Sequence, residues 1–144
     1  MFQTIKKYYD KVDIVIAAAA VSDFTPKYEH KHKIKKDENE IILKLKPTTD
    51  ILAYMGKKKK NQCIIGFALE TENELKNAIK KLKNKNLDGI VLNSLKDDGS
   101  GFFHDSNKIT FIRGSDQKSK SFPLKSKIEC AKIIFDEILS LWNK

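Results

Sequence analysis

A run of small residues and one carboxylate follow an apolar segment near the start of the chain. Residues 14–16 are β-branched, as is typical of a strand buried on both faces of a parallel sheet. Residues 17–20 are all alanine, and Asp23 follows. Open α/β sheets bind ligands in the crevice at the carboxyl ends of their strands, where small residues let the main chain approach a ligand. A tight helix–sheet contact with a capping Asp is an equally good interpretation.

Lysines that could bind phosphate recur later in the chain. Lys33 begins a K-I-K-K run in a polar, basic loop over residues 25–36, where a solvated surface is the favoured interpretation on composition alone. Lys81 and Lys85 stand four residues apart on a predicted helix, so they share one face. Two lysines at the rim of a sheet edge could reach one triphosphate, or could simply border a solvated helix.

A helix start is predicted at residues 47–52, with the sequence P-T-T-D-I-L. Thr48 or Thr49 can accept a hydrogen bond from the first-turn amides, and Asp50 complements the positive end of the helix dipole. Those same amides could instead hold an anion. The helix should be short, because four lysines follow Gly56.

A second buried strand is predicted at residues 62–67. Gly66 indicates close approach of another group within it. Phe67, at its carboxyl end, could contact a flat base or belong to the ordinary core.

The remaining periodicity predicts an α/β fold. Thr71 to Glu74 have the form of a capping box, which would begin a helix at Thr71. Apolar residues recur at helical spacing over 75–82 and over 126–142. The other predicted elements are a helix at 2–10, strands at 41–46, 88–93 and 107–113, and a turn at 116–120. The strand at 107–113 alternates, so it should pair antiparallel or lie at an edge.

Length and composition limit the functional classes. The chain has 144 residues and is 40% hydrophobic, which predicts one domain. No apolar run is long enough to span a membrane and residues 1–11 lack a signal-peptide core, so we expect a cytoplasmic protein without a membrane partner. The net charge is +9, yet Arg113 is the only arginine. Because nucleic-acid recognition depends on arginine, we expect no nucleic-acid partner but allow a small polyanion.

The sequence gives little support for a zinc site, a glycine-rich nucleotide motif or a reactive cysteine. The three histidines, His30, His32 and His104, lack the further ligands of a zinc site. Neither a P-loop nor a dinucleotide-binding glycine motif occurs. Cys63 and Cys130 are predicted to be buried thiols in a reducing compartment.

Several motifs, taken in order, resemble phosphopantothenoylcysteine synthetase, chiefly its bacterial form, which is usually fused behind a flavin-dependent decarboxylase. The motifs are A-A-A-V-S-D-F-T-P, K-I-K-K, P-T-T-D-I-L, G-F-A-L-E-T, K-N-L-D-G-I-V-L-N and F-F-H-D-S-N-K-I-T-F-I. Each is weak alone, but their order covers nearly the whole chain. The resemblance implies a Rossmann-like, three-layer αβα fold with a mostly parallel sheet and a small antiparallel extension.

The resemblance also implies an activity. CTP would activate the carboxylate of 4′-phosphopantothenate as an acyl-cytidylate with release of pyrophosphate, and the amine of cysteine would then displace CMP. Magnesium and lysines would stabilise the phosphate charge. The expected assembly is a homodimer, and FMN is expected only if a decarboxylase domain is fused upstream. Candidate dimer surfaces are residues 41–46 and 107–113.

Site residues follow from the matching motifs. Lys33 would be the catalytic residue, meeting the triphosphate from a mobile loop. The full set of residues expected to bind nucleotide is Ala17, Ala18, Ala19, Asp23, Lys33, Thr49, Asp50, Ile51, Leu52, Phe67, Lys81 and Lys85. The metal ligands are unknown.

Two departures from the family pattern limit these expectations. The Gly-rich first strand and an S-N-x-S-S-G-like stretch are absent from the sequence. We therefore expect residues 1–144 to be the nucleotide-binding portion of the synthetase domain, incomplete as an enzyme on its own. Thr48-Thr49 also replaces the usual Asn-Pro before Asp50. The alternatives are an ATP-using relative and a non-catalytic Rossmann-like module for nucleotide binding or dimerisation.

Overall fold

The computed structural model describes residues 1–35, 40–94 and 104–142. Its helices are α1 Phe2–Tyr8, α2 Ile51–Lys58, α3 Glu74–Asn84 and α4 Lys127–Trp142, with a 3-10 turn at Tyr9–Lys11. Its strands are β1 Ile14–Ala17, β2 Phe24–Pro26, β3 Leu45–Pro47, β4 Cys63–Glu70, β5 Gly89–Ser94, β6 Ser106–Asn107, β7 Ile109–Arg113, β8 Ser119–Ser121 and β9 Lys125–Ser126.

The main sheet is mixed, with strand order β1-β4-β5-β7-β8. Strands β1, β4 and β5 run parallel, and β7 and β8 continue the sheet antiparallel. The parallel part aligns Ala17 with Gly66, and Phe67 with Val91. A parallel core with an antiparallel extension is therefore confirmed.

Helices cover both faces of this sheet, which confirms the three-layer arrangement. On one face, core residues from α2 and α3 pack against Ile64, Ile90 and Ile112. On the other face, α4 packs through Cys130, Ile134 and Ile138. Buried apolar surface of this kind supplies most of the stability of a domain.

The chain divides into two compact units. The main unit comprises residues 1–18 and 51–144, and the arm unit comprises residues 19–50. The arm is built on the antiparallel pair β2–β3, in which Phe24 faces Pro47. A short pair, β6–β9, lies within the main unit beside α4.

Several strand predictions were wrong in detail. β1 is only partly buried: Ile14 and Val15 are half-buried against the cores on opposite faces, Ile16 is 44% exposed, and in the described sheet β1 is an edge strand. The strand predicted at 41–46 begins only at Leu45. The predicted antiparallel pairing of β7 is confirmed, but the turn predicted at 116–120 was partly wrong, because β8, which pairs with β7, begins at Ser119.

The predicted capping box at Thr71 was also wrong. α3 begins at Glu74, after Asn73, which adopts a left-handed conformation with φ 47° and forms no side-chain cap. The chain therefore turns sharply before the helix instead of entering it at Thr71. In the predicted apolar stripe, Ala78 and Leu82 are buried, whereas Leu75 is exposed.

Helix α4 carries a capping box that was not predicted. The Ser126 hydroxyl oxygen accepts a hydrogen bond from the Glu129 amide at 3.3 Å, and Glu129 Oε2 accepts from the Ser126 amide at 3.0 Å. The Ser126 hydroxyl also donates to Glu129 Oε2 at 2.7 Å; this bond, the bond from the Ser126 amide and the nearby Lys125 ammonium together lower the pKa of the Glu129 carboxyl to about 2.

The thiol prediction was confirmed, since Cys63 and Cys130 are both buried and free. Within the described part of the chain, no helix is long and apolar enough to cross a bilayer. Phe102 and Phe103 of the F-F-H-D-S-N-K-I-T-F-I motif and the last lysine of K-I-K-K lie outside the described residues.

Candidate functional site

Small residues line the carboxyl half of the parallel strands in the main unit. Ala17 is the last residue of β1 and lies in register with Gly66 of β4. A Cβ atom at Gly66 would lie 2.7 Å from Leu87 Cδ1 and 3.2 Å from Leu52 Cδ2. Close approach at Gly66 is therefore confirmed, with the start of α2 packed over it. Ala18 continues past the strand and is exposed.

Two other predicted nucleotide contacts lie partly or wholly in the core. Ile51 is buried among the residues under α2, so only its main chain is available to a ligand. Phe67 is half-buried and packs on the α4 face of the sheet, with Val91 and Ile65 in the same cluster. The structure therefore supports the core interpretation of Phe67 and leaves part of its ring accessible.

Lys81 is held at the end of β4 by an acidic residue that sequence reasoning missed. Its ammonium lies 2.5 Å from Glu70 Oε1. Glu70 is the last residue of β4, so the lysine head is placed at the carboxyl edge of the sheet. The only sequence signal for Glu70 was its place in the G-F-A-L-E-T motif.

Lys85 is placed differently from Lys81, although the two share a helix face. It caps the carboxyl end of α3, and its backbone carbonyl packs against Gly56 of α2. Four residues of helix correspond to about 6 Å, so the Lys85 backbone lies that much further from the β4 edge. Its side chain reaches towards that edge only by extending back along α3, as helical side chains tend to do.

In the arm unit, main-chain bonds bring Asp23 close to the residues before α2. The Thr48 amide donates to the Asp23 carbonyl at 2.9 Å. The Thr48 hydroxyl donates to the Ser22 carbonyl at 2.6 Å, so this residue ties the arm together instead of capping the helix. Asp23 and Thr49 therefore lie near one another, at the same end of the β2–β3 pair.

The other predicted residues of the arm unit are Ala19, Lys33 and Asp50. Ala19 and Lys33 are exposed and lie outside regular structure. Asp50 is exposed and directly precedes α2. Their roles stay predictions.

A cavity of about 430 Å³ lies elsewhere, at the amino ends of β4 and β5. Its lining includes Lys59, Cys63, Asp88 and Trp142. Burial raises the pKa of the Cys63 thiol to about 11, with a further upward contribution from the Asp88 charge. A thiol with such a pKa is a poor nucleophile at neutral pH, so this cavity does not resemble a catalytic site.

Asp88 has a structural role at that end of the sheet. Its Oδ1 pairs with the Lys59 ammonium at 2.7 Å, and its Oδ2 accepts a hydrogen bond from the Ile64 amide at 2.7 Å. The carboxylate therefore ties the end of α2 to β4. Function is better placed at the opposite edge, where open α/β sheets bind ligands.

The described residues include no group of three or more His, Cys, Asp or Glu side chains arranged to hold a metal ion. Magnesium commonly takes one or two carboxylates and completes its shell with substrate phosphates and water. The described side chains alone therefore do not form a magnesium site.

Residues 1–141 match the family described as the DNA/pantothenate metabolism flavoprotein C-terminal domain. A relative from an unknown prokaryotic organism, named cysteine/cysteine sulfinic acid decarboxylase, is 54% identical over 92% of this chain and 37% of its own length. The coenzyme A biosynthesis bifunctional protein CoaBC of Bacillus subtilis (strain 168) is 45% identical over 98% of this chain and 34% of its own length.

The fold has a counterpart among solved structures. The crystal structure of the C-terminal domain of a coenzyme A biosynthesis bifunctional protein CoaBC is 36% identical, with a TM-score of 0.78. The match covers 99% of this chain and 63% of that chain. The expected Rossmann-like fold is confirmed. The chain spans little more than a third of the length of the two curated relatives.

Proposed function

We propose a function from the premise that this chain belongs to the DNA/pantothenate metabolism flavoprotein C-terminal domain family. The chain is the nucleotide-binding portion of a phosphopantothenate–cysteine ligase of coenzyme A biosynthesis, acting in the cytoplasm. One observation carries the proposal within that family: Glu70 holds the Lys81 ammonium at the carboxyl end of β4, the strand whose Gly66 lies in register with Ala17 of β1.

In the proposed reaction, a carboxylate oxygen of 4′-phosphopantothenate attacks the α-phosphorus of CTP. The bond between the α-phosphorus and its bridging oxygen breaks, pyrophosphate leaves, and an acyl-cytidylate forms. The cysteine amine then attacks the acyl carbon, and CMP leaves as the amide bond forms. The chemical logic is that a carboxylate becomes a useful electrophile only when its oxygen carries a good leaving group.

The chain's own residues bind and orient the nucleotide in this scheme. Ala17 and Ala18 let the main chain approach it, and Leu52 and Phe67 flank it. Lys81 and Lys85 supply positive charge to the phosphates, where preorganised charge stabilises the transition state. Lys33, the proposed catalytic residue, contributes a further ammonium from the arm unit. Ala19, Asp23, Thr49, Asp50 and the main chain of Ile51 are the remaining proposed nucleotide contacts.

Magnesium is proposed as a partner of the triphosphate. The described residues hold no group of three or more ligating side chains, so the triphosphate and water would supply most of its ligands. FMN would belong to a decarboxylase domain elsewhere in a longer protein.

A homodimer completes the proposal, and the arm unit is its proposed surface. Eight large apolar side chains of the arm are exposed: Val21, Phe24, Tyr28, Ile34, Ile41, Ile42, Leu43 and Leu45. Such density is unusual for solvent-facing surface and is typical of interaction sites. The second candidate surface, residues 107–113, is less favoured, because Ile109, Phe111 and Ile112 are buried within the main unit.

The deciding experiment is calorimetric titration of CTP into the 144-residue chain with magnesium, and ATP as the control nucleotide. We expect CTP to bind more tightly than ATP. Lys33→Ala and Lys81→Met should each weaken binding, whereas Lys120→Met, which removes a lysine of β8, should leave it unchanged. Preference for ATP would support the ATP-using relative.

Failure of both nucleotides to bind would refute the nucleotide-binding role. Retained affinity in the Lys33 and Lys81 variants would favour a binding module of another kind. Thermal melting of each variant separates loss of the site from loss of the fold.

A further inference from the structure

Glu70 is an acidic residue in a region proposed to bind a polyanion, and its surroundings explain how it could serve there. Its side chain is only 14% exposed, although it ends a strand. Oε1 is fully buried and makes no regular hydrogen bond to any described residue. The Lys81 ammonium, 2.5 Å away, is its charge partner. A buried carboxylate oxygen needs such a partner, because desolvation of an unpaired charge is costly.

Glu70 and Lys81 differ in how exposed they are and in what else they contact. The Lys81 side chain is 45% exposed, about three times as much as that of Glu70. The carboxylate also has a contact on its other oxygen, since Asn77 Nδ2 lies 3.4 Å from Oε2. Glu70 is therefore the fixed member, and Lys81 extends from it towards solvent.

An incoming phosphate could either displace Glu70 from Lys81 or share the lysine with it. Displacement would leave Oε1 buried without a charge partner, which is the costly outcome of breaking a buried pair. Sharing costs less, because Glu70 keeps its charge partner while the ammonium, which has three N–H donors, also bonds to a phosphate. The geometry therefore favours sharing.

We propose that Glu70 is a positioning residue, which fixes the Lys81 ammonium at the carboxyl end of β4 so that its remaining donors meet the nucleotide phosphates. The inference rests on the proposed function. A free lysine loses rotamer freedom when it binds a ligand, and prior anchoring removes part of that cost. Anchoring this one side chain in advance should raise the affinity for the nucleotide by about 2- to 10-fold.

The test is a double-mutant cycle on CTP affinity with magnesium present, using Glu70→Ala, Lys81→Met and the double variant. We expect Glu70→Ala to weaken binding by about 2- to 10-fold in the native background. In the Lys81→Met background it should change affinity by less than about 2-fold, since the anchored group is gone. Glu70→Gln keeps an acceptor oxygen and should stay within about 2-fold of native.

A matched ion pair provides the control. Lys120 and Glu137 lie 2.6 Å apart with side-chain exposures of 65% and 12%, close to the values for Lys81 and Glu70. Glu137→Ala should lower the melting temperature comparably without changing CTP affinity. If Glu70→Ala fails to fold, Glu70→Asp replaces it, because the shorter side chain withdraws the anchor and should also weaken binding.

Unchanged or tighter binding by Glu70→Ala would overturn the inference, and tighter binding would identify Glu70 as a competitor of the phosphates. Equal weakening in both backgrounds would also overturn it, because the effect would not pass through Lys81. Both results leave the proposed function intact as long as the native chain binds CTP and Lys81→Met weakens that binding. A native chain that binds no CTP refutes the proposed function, and the inference with it.

Discussion

Replacing Gly56 by alanine should destabilise the protein, although the same change normally strengthens a helix. Alanine in a helix interior is worth about 0.5–1 kcal/mol over glycine. At Gly56, however, a Cβ atom would lie 1.8 Å from the Lys85 carbonyl oxygen and 2.8 Å from its carbon. The obstruction is backbone, so no side-chain rotation relieves it.

The size of the effect follows from this contact. Heavy atoms pack best at about 3.5 Å or more, so α2 and the end of α3 must separate by roughly 1.5 Å. Overpacking costs about 1–3 kcal/mol. Separation also strains the 3.1 Å bond from Asn86 Nδ2 to the Gly56 carbonyl, worth about 1 kcal/mol. After the helix gain is subtracted, the expected net loss is about 2–3 kcal/mol.

Differential scanning calorimetry measures this loss directly. For a chain of this length we expect the melting temperature to fall by about 4–12 °C. Lys57→Ala changes the neighbouring exposed residue of α2 and should stay within about 0.5 kcal/mol of native. An unchanged or raised melting temperature for Gly56→Ala would refute the reasoning, since it would mean that α2 and Lys85 are not in contact.

Three further predictions concern the main unit. Asp88→Ala should cost about 2–4 kcal/mol in urea unfolding, because the buried Ile64 amide and a lysine lose their partner; a loss below 1 kcal/mol would contradict this role. The pKa of Glu129 is lowered from 4.5 to about 2, so its stabilising effect is present above pH 4.5 and disappears as pH falls towards 2. The melting temperature of Ser126→Ala should therefore lie below native at neutral pH and approach it in acid, and a constant gap would contradict this. Cys63, with a pKa near 11, should react with iodoacetamide at pH 8 only after denaturation, as followed by intact mass.

The element pattern was predictable where local periodicity and burial agree. α4 was found to within one residue, because it carries a long apolar pattern with one clear period; β4 was found at its start, but it runs on to Glu70, three residues past the predicted end. The position of β1 was predicted correctly, but the extent to which its side chains are buried was not. A β-branched run indicates strand conformation, whereas exposure of Ile16 depends on what lies beside the strand.

Local motifs were less dependable, as the two S/T-x-x-E sequences illustrate. The one at Ser126 forms a capping box, and the one at Thr71 does not. At Thr71 the chain first passes through the left-handed residue Asn73, whose carbonyl then accepts the Asn77 amide. Asparagine adopts that conformation more readily than most residues, so the segment from Thr71 to Glu74 favours a turn as well as a capping box.

Contacts between residues far apart in the sequence were harder still to predict at the candidate site. Lys81 was singled out by a resemblance and by its spacing from Lys85, but nothing local indicated that Glu70, eleven residues earlier, would hold it. Lys120 and Glu137 form a similar pair at the other side of the sheet, with nearly the same distance and an equally buried carboxylate. The two pairs differ in which end of which strand they occupy, and only topology determines that. Open α/β sheets bind ligands at the carboxyl ends of their parallel strands, where Glu70 holds Lys81, whereas Lys120 of the antiparallel extension pairs with Glu137 of α4. The position of an ion pair in the sheet, more than its geometry, therefore decides whether it can act on a substrate.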